Sequence, residues 1–328
     1  MGSTPSPPTI YVFTIVYNLL HVITKKIFKQ IRNISKKYSP IAAWALNDRI
    51  DNKKLSLQLL SFHRLGYGGV MVIPWASLPN KFMDSAWLNS VEFIVREAKK
   101  LNLDVWLWDD WCFPSGFGGG VVTREKRFRA KKLKILVDIV LEEGDRIYLP
   151  VLPHTIAAGY FNIDKFNNAT GRIVNIDLKQ SSFINHIARV RQRIIVVGWE
   201  YISAMEHTVV SHSRYLHPRD CDIDDIFTND DSKTWSVDML NPDATDLFIR
   251  IVHEQYFKRL KNFFGTTIKG FFYDEPHLPS LLPWNENIPG EFLRKKGYDI
   301  FEHLISIVVE KKSMIQILFR WKNNKQKR

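Results

Sequence analysis

Asp104-Val105-Trp106-Leu107-Trp108-Asp109-Asp110 is the stretch on which the fold turns. A short apolar segment, suited to a strand, stops abruptly at two acids. Before it, Trp87–Leu101 carries Leu88, Val91, Ile94, Val95 and Ala98 at helical spacing. An amphipathic helix followed by a short, wholly apolar strand is the unit of a parallel α/β sheet, whose crossover helices keep both faces of the strands from water. Working towards the N-terminus, the turn Gly66–Gly69 leads into an apolar strand at Val70–Ile73. The segment Lys53–Leu65 has Leu55, Leu59, Leu60 and Phe62 at helical spacing, and Ile41–Leu46 is a further short strand. Working the other way, Ala244–Phe264 has a helical pattern, and Thr267–Tyr273 is a fourth barrel-type strand that ends in Asp274-Glu275-Pro276. Pro289–Lys296 and Ile300–Val309 read as helices. Between these parts the pattern changes to β-branched and aromatic residues, with strands expected at Ile194–Val197, Trp199–Ile202 and Thr208–Val210.

The expected fold class is therefore α/β: a partial TIM-type (β/α) barrel of about four βα units with an inserted antiparallel β-rich module. The expected organisation is a leader at 1–39, three βα units at 40–133, the module at 134–215, a fourth βα unit with following helices at 216–310, and a basic tail at 311–328. No internal repeat has a solenoid period.

The chain has 328 residues and a net charge of +12, which at first suggests nucleic acid. The distribution argues against that. Residues 1–47 hold six basic side chains and no acid, and residues 311–328 hold seven and no acid. Removing those thirteen leaves 33 basic against 34 acidic residues, so the body is neutral and no nucleic-acid face is expected. The apolar run Ile10–Ile23, broken by Asn18 and His21, is short for a spanning helix and lacks the marks of a signal peptide. Together with Lys25–Lys37 it leaves open an association of the N-terminus with a membrane surface. Two cysteines, Cys112 and Cys221, form neither a disulfide framework nor a metal motif, which favours a reducing, cytoplasmic location. The sequons at Asn33 and Asn168 would matter only in a secreted chain.

Catalytic groups of parallel barrels sit where strands end and loops begin. Asp109 and Asp110 follow the third strand, and Asp274 and Glu275 follow the fourth. Cleaving a glycosidic bond takes two carboxyl groups: one protonates the leaving oxygen, and the other attacks the sugar or activates water. Glu275 is the candidate acid, with an exposed loop acid or a capping partner as the other reading. Asp274 is a candidate for orienting a sugar hydroxyl or a cation. Asp109 and Asp110 either accept sugar hydroxyls or cap the next turn. Asn47 and Asp48 end the first strand as substrate contacts, unless Asp48 caps the following helix. Trp106 and Trp108 share a strand face and Trp111 lies in the loop, so one of these rings is expected to stack on sugar. His277 is a contact candidate, whereas His253, inside a helix, reads as structural. Gly116, Gly118, Gly119 and Gly120 form a rim loop; no Walker lysine follows that would make it a phosphate cradle.

At this point the chain resembles glycoside hydrolase family 106 and its relatives, over about residues 40–304. The resemblance is carried by Trp44–Asp51 with Leu65-Gly66-Tyr67-Gly68-Gly69-Val70, by Ala98–Asp110 with Phe113-Pro114-Ser115-Gly116 and Gly118-Gly119, by Asp238-Met239-Leu240-Asn241-Pro242, by His253-Glu254-Gln255-Tyr256 and Phe264-Gly265, by Ile268–Pro276, and by Pro283-Trp284 with Lys296-Gly297-Tyr298-Asp299-Ile300. It implies a (β/α)₈ barrel with a β-rich insertion, an α-L-rhamnosidase-type activity with an inverting two-carboxylate mechanism, and calcium. Carried onto this chain, it makes Glu275 a catalytic carboxylate, and Asn47, Asp48, Asp109, Asp110 and Asp274 sugar or metal contacts. The residues alone require no cofactor and place no calcium ligands. The family continues past the Gly-Tyr-Asp segment with later strands and a further catalytic Glu, whereas only four barrel strands are legible here. The alternative expectation is a truncated, non-catalytic remnant that at most binds carbohydrate.

Overall fold

The computed structural model describes residues 23–25, 36–75, 78, 82–111, 114–179, 181–202, 235–274, 278 and 280–310. Among them, four parallel strands lie in the order β1-β2-β3-β10: β1 Ile41–Leu46, β2 Gly69–Pro74, β3 Asp104–Trp108 and β10 Ile268–Phe272. Helix α1 (Asn52–Arg64) links β1 to β2, and α2 (Ser85–Lys100) links β2 to β3. Each helix starts where an aspartate can satisfy its free N–H groups. Asp51 accepts from Lys53 N and Lys54 N, which hold its carboxyl below the usual range, and Asp84 accepts from Trp87 N. The apolar stripes then bury themselves on one face of the sheet: Leu55 and Leu59 from α1, and Trp87, Val91, Ile94 and Val95 from α2, against Val70, Val72, Val105 and Leu107.

Between β3 and β10 the chain builds most of an antiparallel module, whose edge strand β11 comes after β10. Strands β4 (Lys131–Leu141), β6 (Thr155–Asn162), β7 (Val174–Ile176), β9 (Gln192–Tyr201) and β11 (Pro283–Trp284) form one sheet in the order β11-β4-β9-β6-β7. β5 (Arg146–Pro150) and β8 (Phe183–Ile187) form a separate ribbon. The middle strand β9 is buried on both sides. Ile195 and Val197 meet Leu304, Ile305 and Val308 of helix α6 (Leu304–Val309), while Ile194 and Val196 meet Ile147 and Ile184 of the ribbon. Such two-sided burial explains why this strand is a near-continuous apolar run rather than an alternating one.

The expected single helix at 244–264 is in fact α3 (Pro242–Phe248), a π-helical turn Ile249–His253, and α4 (Glu254–Leu260). Asn241 caps it and Pro242 opens it. Helix α5 (Ile288–Lys296) stops at Gly297, whose φ of 78° is left-handed. The strands expected separately at 194–197 and 199–202 form the single strand β9. Thr208–Val210, most of the leader and the basic tail lie outside the described residues. No described helix is long and apolar enough to cross a membrane.

Candidate functional site

The C-terminal ends of β3 and β10 are neighbours, since Phe272 pairs with Trp108. Their rings stack with centroids 5.0 Å apart. Immediately beyond, Asp110 gathers the glycine loop around itself. Its Oδ1 accepts from Trp111 N and Gly119 N, both at 2.7 Å, and its Oδ2 from Gly116 N and Gly118 N, both at 2.8 Å. Gly116, Gly118, Gly119 and Gly120 all have positive φ, which lets successive N–H groups converge on one carboxylate. Burial pushes the Asp110 carboxyl up to about 7, against the opposing pull of these four donors.

Asp109 is also fully enclosed and ties three segments together. Its Oδ1 accepts from Ser115 Oγ at 2.6 Å, and its Oδ2 lies 3.0 Å from His253 Nε2. Ser115 Oγ in turn accepts from Asp274 N at 2.9 Å, and Ser115 N donates to Asp274 O at 2.9 Å. The strand ends of β3 and β10 and the π-turn after α3 therefore share one hydrogen-bonded chain: His253, Asp109, Ser115, Asp274. The π-turn is what carries His253 to this place; five-residue spacing rotates the helix face relative to the turns on either side. Half-buried Tyr273 lies beside the glycine loop, its hydroxyl 3.5 Å from Met239 Sδ. Burial, with the charges of Asp109 and Asp110, raises its hydroxyl to about 12, so it stays a neutral hydrogen-bond donor at ordinary pH.

The structure brings together Trp108, Asp109, Asp110, Trp111 and Asp274 from the sequence-derived set. Asn47 and Asp48 are exposed at the end of β1, on the other side of β2 and β3. With neighbouring strands about 4.8 Å apart, that is roughly 14 Å from the β10 end. Asp48 does not cap α1; Asp51 does, and Asp48 Oδ1 accepts from Arg49 N. Trp111 and Trp108, expected as candidate stacking rings, are only 2% and 7% exposed, and Phe272 stacks on Trp108, so neither offers an open face to a sugar. Asp110 offers no free oxygen to a sugar, because its turn-capping role takes both. Glu275 and His277 lie outside the described residues. Sequence reading gave Ser115 no role beyond its place in a resembling motif, and read His253 as structural without a partner.

Calcium needs about six to eight oxygen ligands at one point. The described residues do not fit it: Asp109 and Asp110 are occupied by N–H, O–H and imidazole partners, and no group of three or more His, Cys, Asp or Glu among the described residues could hold a metal ion.

No family model matches the chain, and no curated protein matches it. Among solved structures, it is similar to a rhamnosidase from Novosphingobium sp. PP1Y, at 12% identity and a TM-score of 0.47, over 85% of this chain and 42% of that one. The chain thus spans less than half the length of that protein.

Proposed function

We propose that the chain is a glycoside hydrolase-like protein on a partial (β/α) barrel, acting on α-L-rhamnoside-type bonds at the C-terminal ends of β3 and β10. The observation that carries this reading is the shared network of Asp109, Ser115, His253 and Asp274 at two adjacent parallel strand ends, where barrel enzymes hold their reacting groups. The face of the sheet turned away from the helices supports the barrel: Ala43, Met71, Trp106 and Phe272 keep it apolar and partly open. In this reading Glu275 is the acid or base, Asp274 orients a sugar hydroxyl, and Asn47 and Asp48 contact a more distant part of the substrate. Asp109 and Asp110 are positioning residues. Their burial separates them from substrate and fixes the segment that presents Asp274 and Glu275.

The same burial favours a second reading, a carbohydrate-binding protein without turnover, because it leaves those two acids unable to serve as the second catalytic carboxylate. Hydrolysis of 4-nitrophenyl α-L-rhamnoside and a panel of aryl glycosides, with and without calcium, separates the two. The hydrolase reading expects turnover that falls by roughly 10²-fold or more in Glu275→Gln. Folded protein that binds a glycoside but turns none over leaves only the binding reading.

A further inference from the structure

Strand β1 is a sheet edge without the usual protection. Ile41-Ala42-Ala43-Trp44-Ala45-Leu46 holds no charge, no proline and no bulge, the devices that keep an edge from pairing. Its even-numbered residues bond inwards, since Pro40 O accepts from Gly68 N and Leu46 O from Trp75 N. Ile41, Ala43 and Ala45 therefore turn their backbone groups to the free edge, and all three are exposed. At the other end of the sheet, β10 pairs only with β3 among the described strands, and Phe272 is 38% exposed. The face between the two edges carries Ala43 and Ala45 from β1, Met71 from β2, Trp106 from β3 and Phe272 from β10, all apolar and none of them buried. These exposures leave both edges and that face uncovered by the described residues.

Parallel sheets occur almost only with both faces covered, and eight tilted strands close such a sheet into a barrel with no edge left. We propose that two copies of the chain close one eight-stranded barrel about a two-fold axis along its centre, with β10 of each copy pairing in parallel with β1 of the other. The rotation preserves strand direction, so the two seams are identical and both edges vanish together. Pairing β1 with β1 instead would be antiparallel, and would leave the apolar faces and both β10 edges open. The area suits a stable dimer. A six-residue strand is about 20 Å long and four strands are about 19 Å wide, so each copy brings a wall of roughly 400 Å². Its two edges, each about 20 Å long and about 10 Å deep, add roughly 400 Å². Roughly 800 Å² per partner is a standard interface.

Closure also completes the site. Asp48 and Asp274 each stand two residues beyond the end of their strand. Within one copy they lie roughly 14 Å apart, whereas across a seam their backbones lie about one strand spacing, 4.8 Å, apart. Carboxyls so placed fit the separation of about 5–10 Å that a glycosidic pair uses. Asp48 of the second copy thus supplies the carboxylate that Asp109 and Asp110, being enclosed, cannot. Only this last step rests on the hydrolase reading above; closure stands on the strand edges.

Sedimentation velocity of the full chain at micromolar concentration tests closure, with about 77 kDa expected, twice 38.4 kDa. Ala43→Asp puts a charge inside the closed barrel but on the surface of a single copy. It should therefore give a protein that is folded by circular dichroism and monomeric, its dissociation constant raised about 10²-fold or more. A monomeric wild type, an Ala43→Asp protein that stays dimeric, or a disulfide-linked dimer of Ala43→Cys, which needs two copies of β1 side by side, overturns closure. Mixing variants tests the shared site. Asp48→Asn and Asp274→Asn, each inactive alone on an aryl glycoside, should recover about a quarter of wild-type turnover once mixed and reassociated, since half of the dimers are mixed and each has one intact site of two. No recovery alongside an active wild type overturns the shared site. A dimer that hydrolyses nothing refutes the hydrolase reading, and the shared site with it, but not closure.

Discussion

Replacing Ser115 by Ala tests whether the two strand ends are truly tied. The hydroxyl, 1% exposed, makes two bonds at once: it donates to the enclosed carboxylate of Asp109 and accepts from Asp274 N. The first is a bond to a charged group in a dry site, where a lost partner costs about 1.5–3 kcal/mol, and the second, to a half-buried amide, costs about 1 kcal/mol. Asp109 keeps His253, so the loss stops short of an unpaired buried charge. The expected destabilisation is about 3 kcal/mol, on the order of a 10²-fold change in the folding equilibrium. Urea unfolding followed by tryptophan fluorescence measures it, and a cycle with His253→Gln checks that the two residues couple through Asp109. The proposed hydrolase activity should fall with it, as the segment carrying Asp274 loosens. A loss below about 1 kcal/mol with unchanged activity would show that backbone pairing alone positions these ends, and the network argument would fail.

Three further outcomes are expected. Tyr256→Phe should cost about 1–3 kcal/mol in thermal or urea unfolding, because Trp87 Nε1 donates to Tyr256 Oη at 2.7 Å with both residues fully buried, and an unchanged midpoint would deny that bond any value. Stability should fall as pH rises from about 4 to about 7: the folded Asp110 carboxyl keeps its proton to about 7 and the unfolded one loses it near 3.8, so the folded state binds more protons across that window. The fall should reach up to about 4 kcal/mol and be absent from Asp110→Asn; parallel pH curves for the two proteins would refute it. Gly116→Ala should lose about 1–3 kcal/mol, since its φ is 125° and a Cβ there would stand 3.0 Å from Val237 Cγ1, with circular dichroism melts as the readout and a neutral change as the contrary result.

The helices and strands up to Trp108 were legible because each short apolar run is buried by a neighbouring amphipathic helix, so local pattern and tertiary role coincide. The module was harder. β9 was divided at Gly198 because glycine ordinarily punctuates a strand. There it serves a close approach instead: a Cβ would stand 2.7 Å from His154 O. The strands β4 to β8 were not separately visible, since β4 has a broken burial pattern with half-exposed residues on both faces. At the site, the sequence located the strand ends but not their enclosure. The acids at 109 and 110 looked like rim residues, and only the fold shows the donors that bury them. The His253–Asp109 contact spans 144 positions, and no local periodicity can announce it.

The antiparallel module also sets the order in which this chain can assemble. Strands β3 and β10 are adjacent in space but about 160 residues apart in the chain. Closing a loop that long before anything within it has formed carries an entropic penalty with no local contact to offset it. The hairpin-like pairings of the module shorten that loop once they form. Pairing of β10 with β3, and with it the site between them, is therefore expected to follow the module's own pairings.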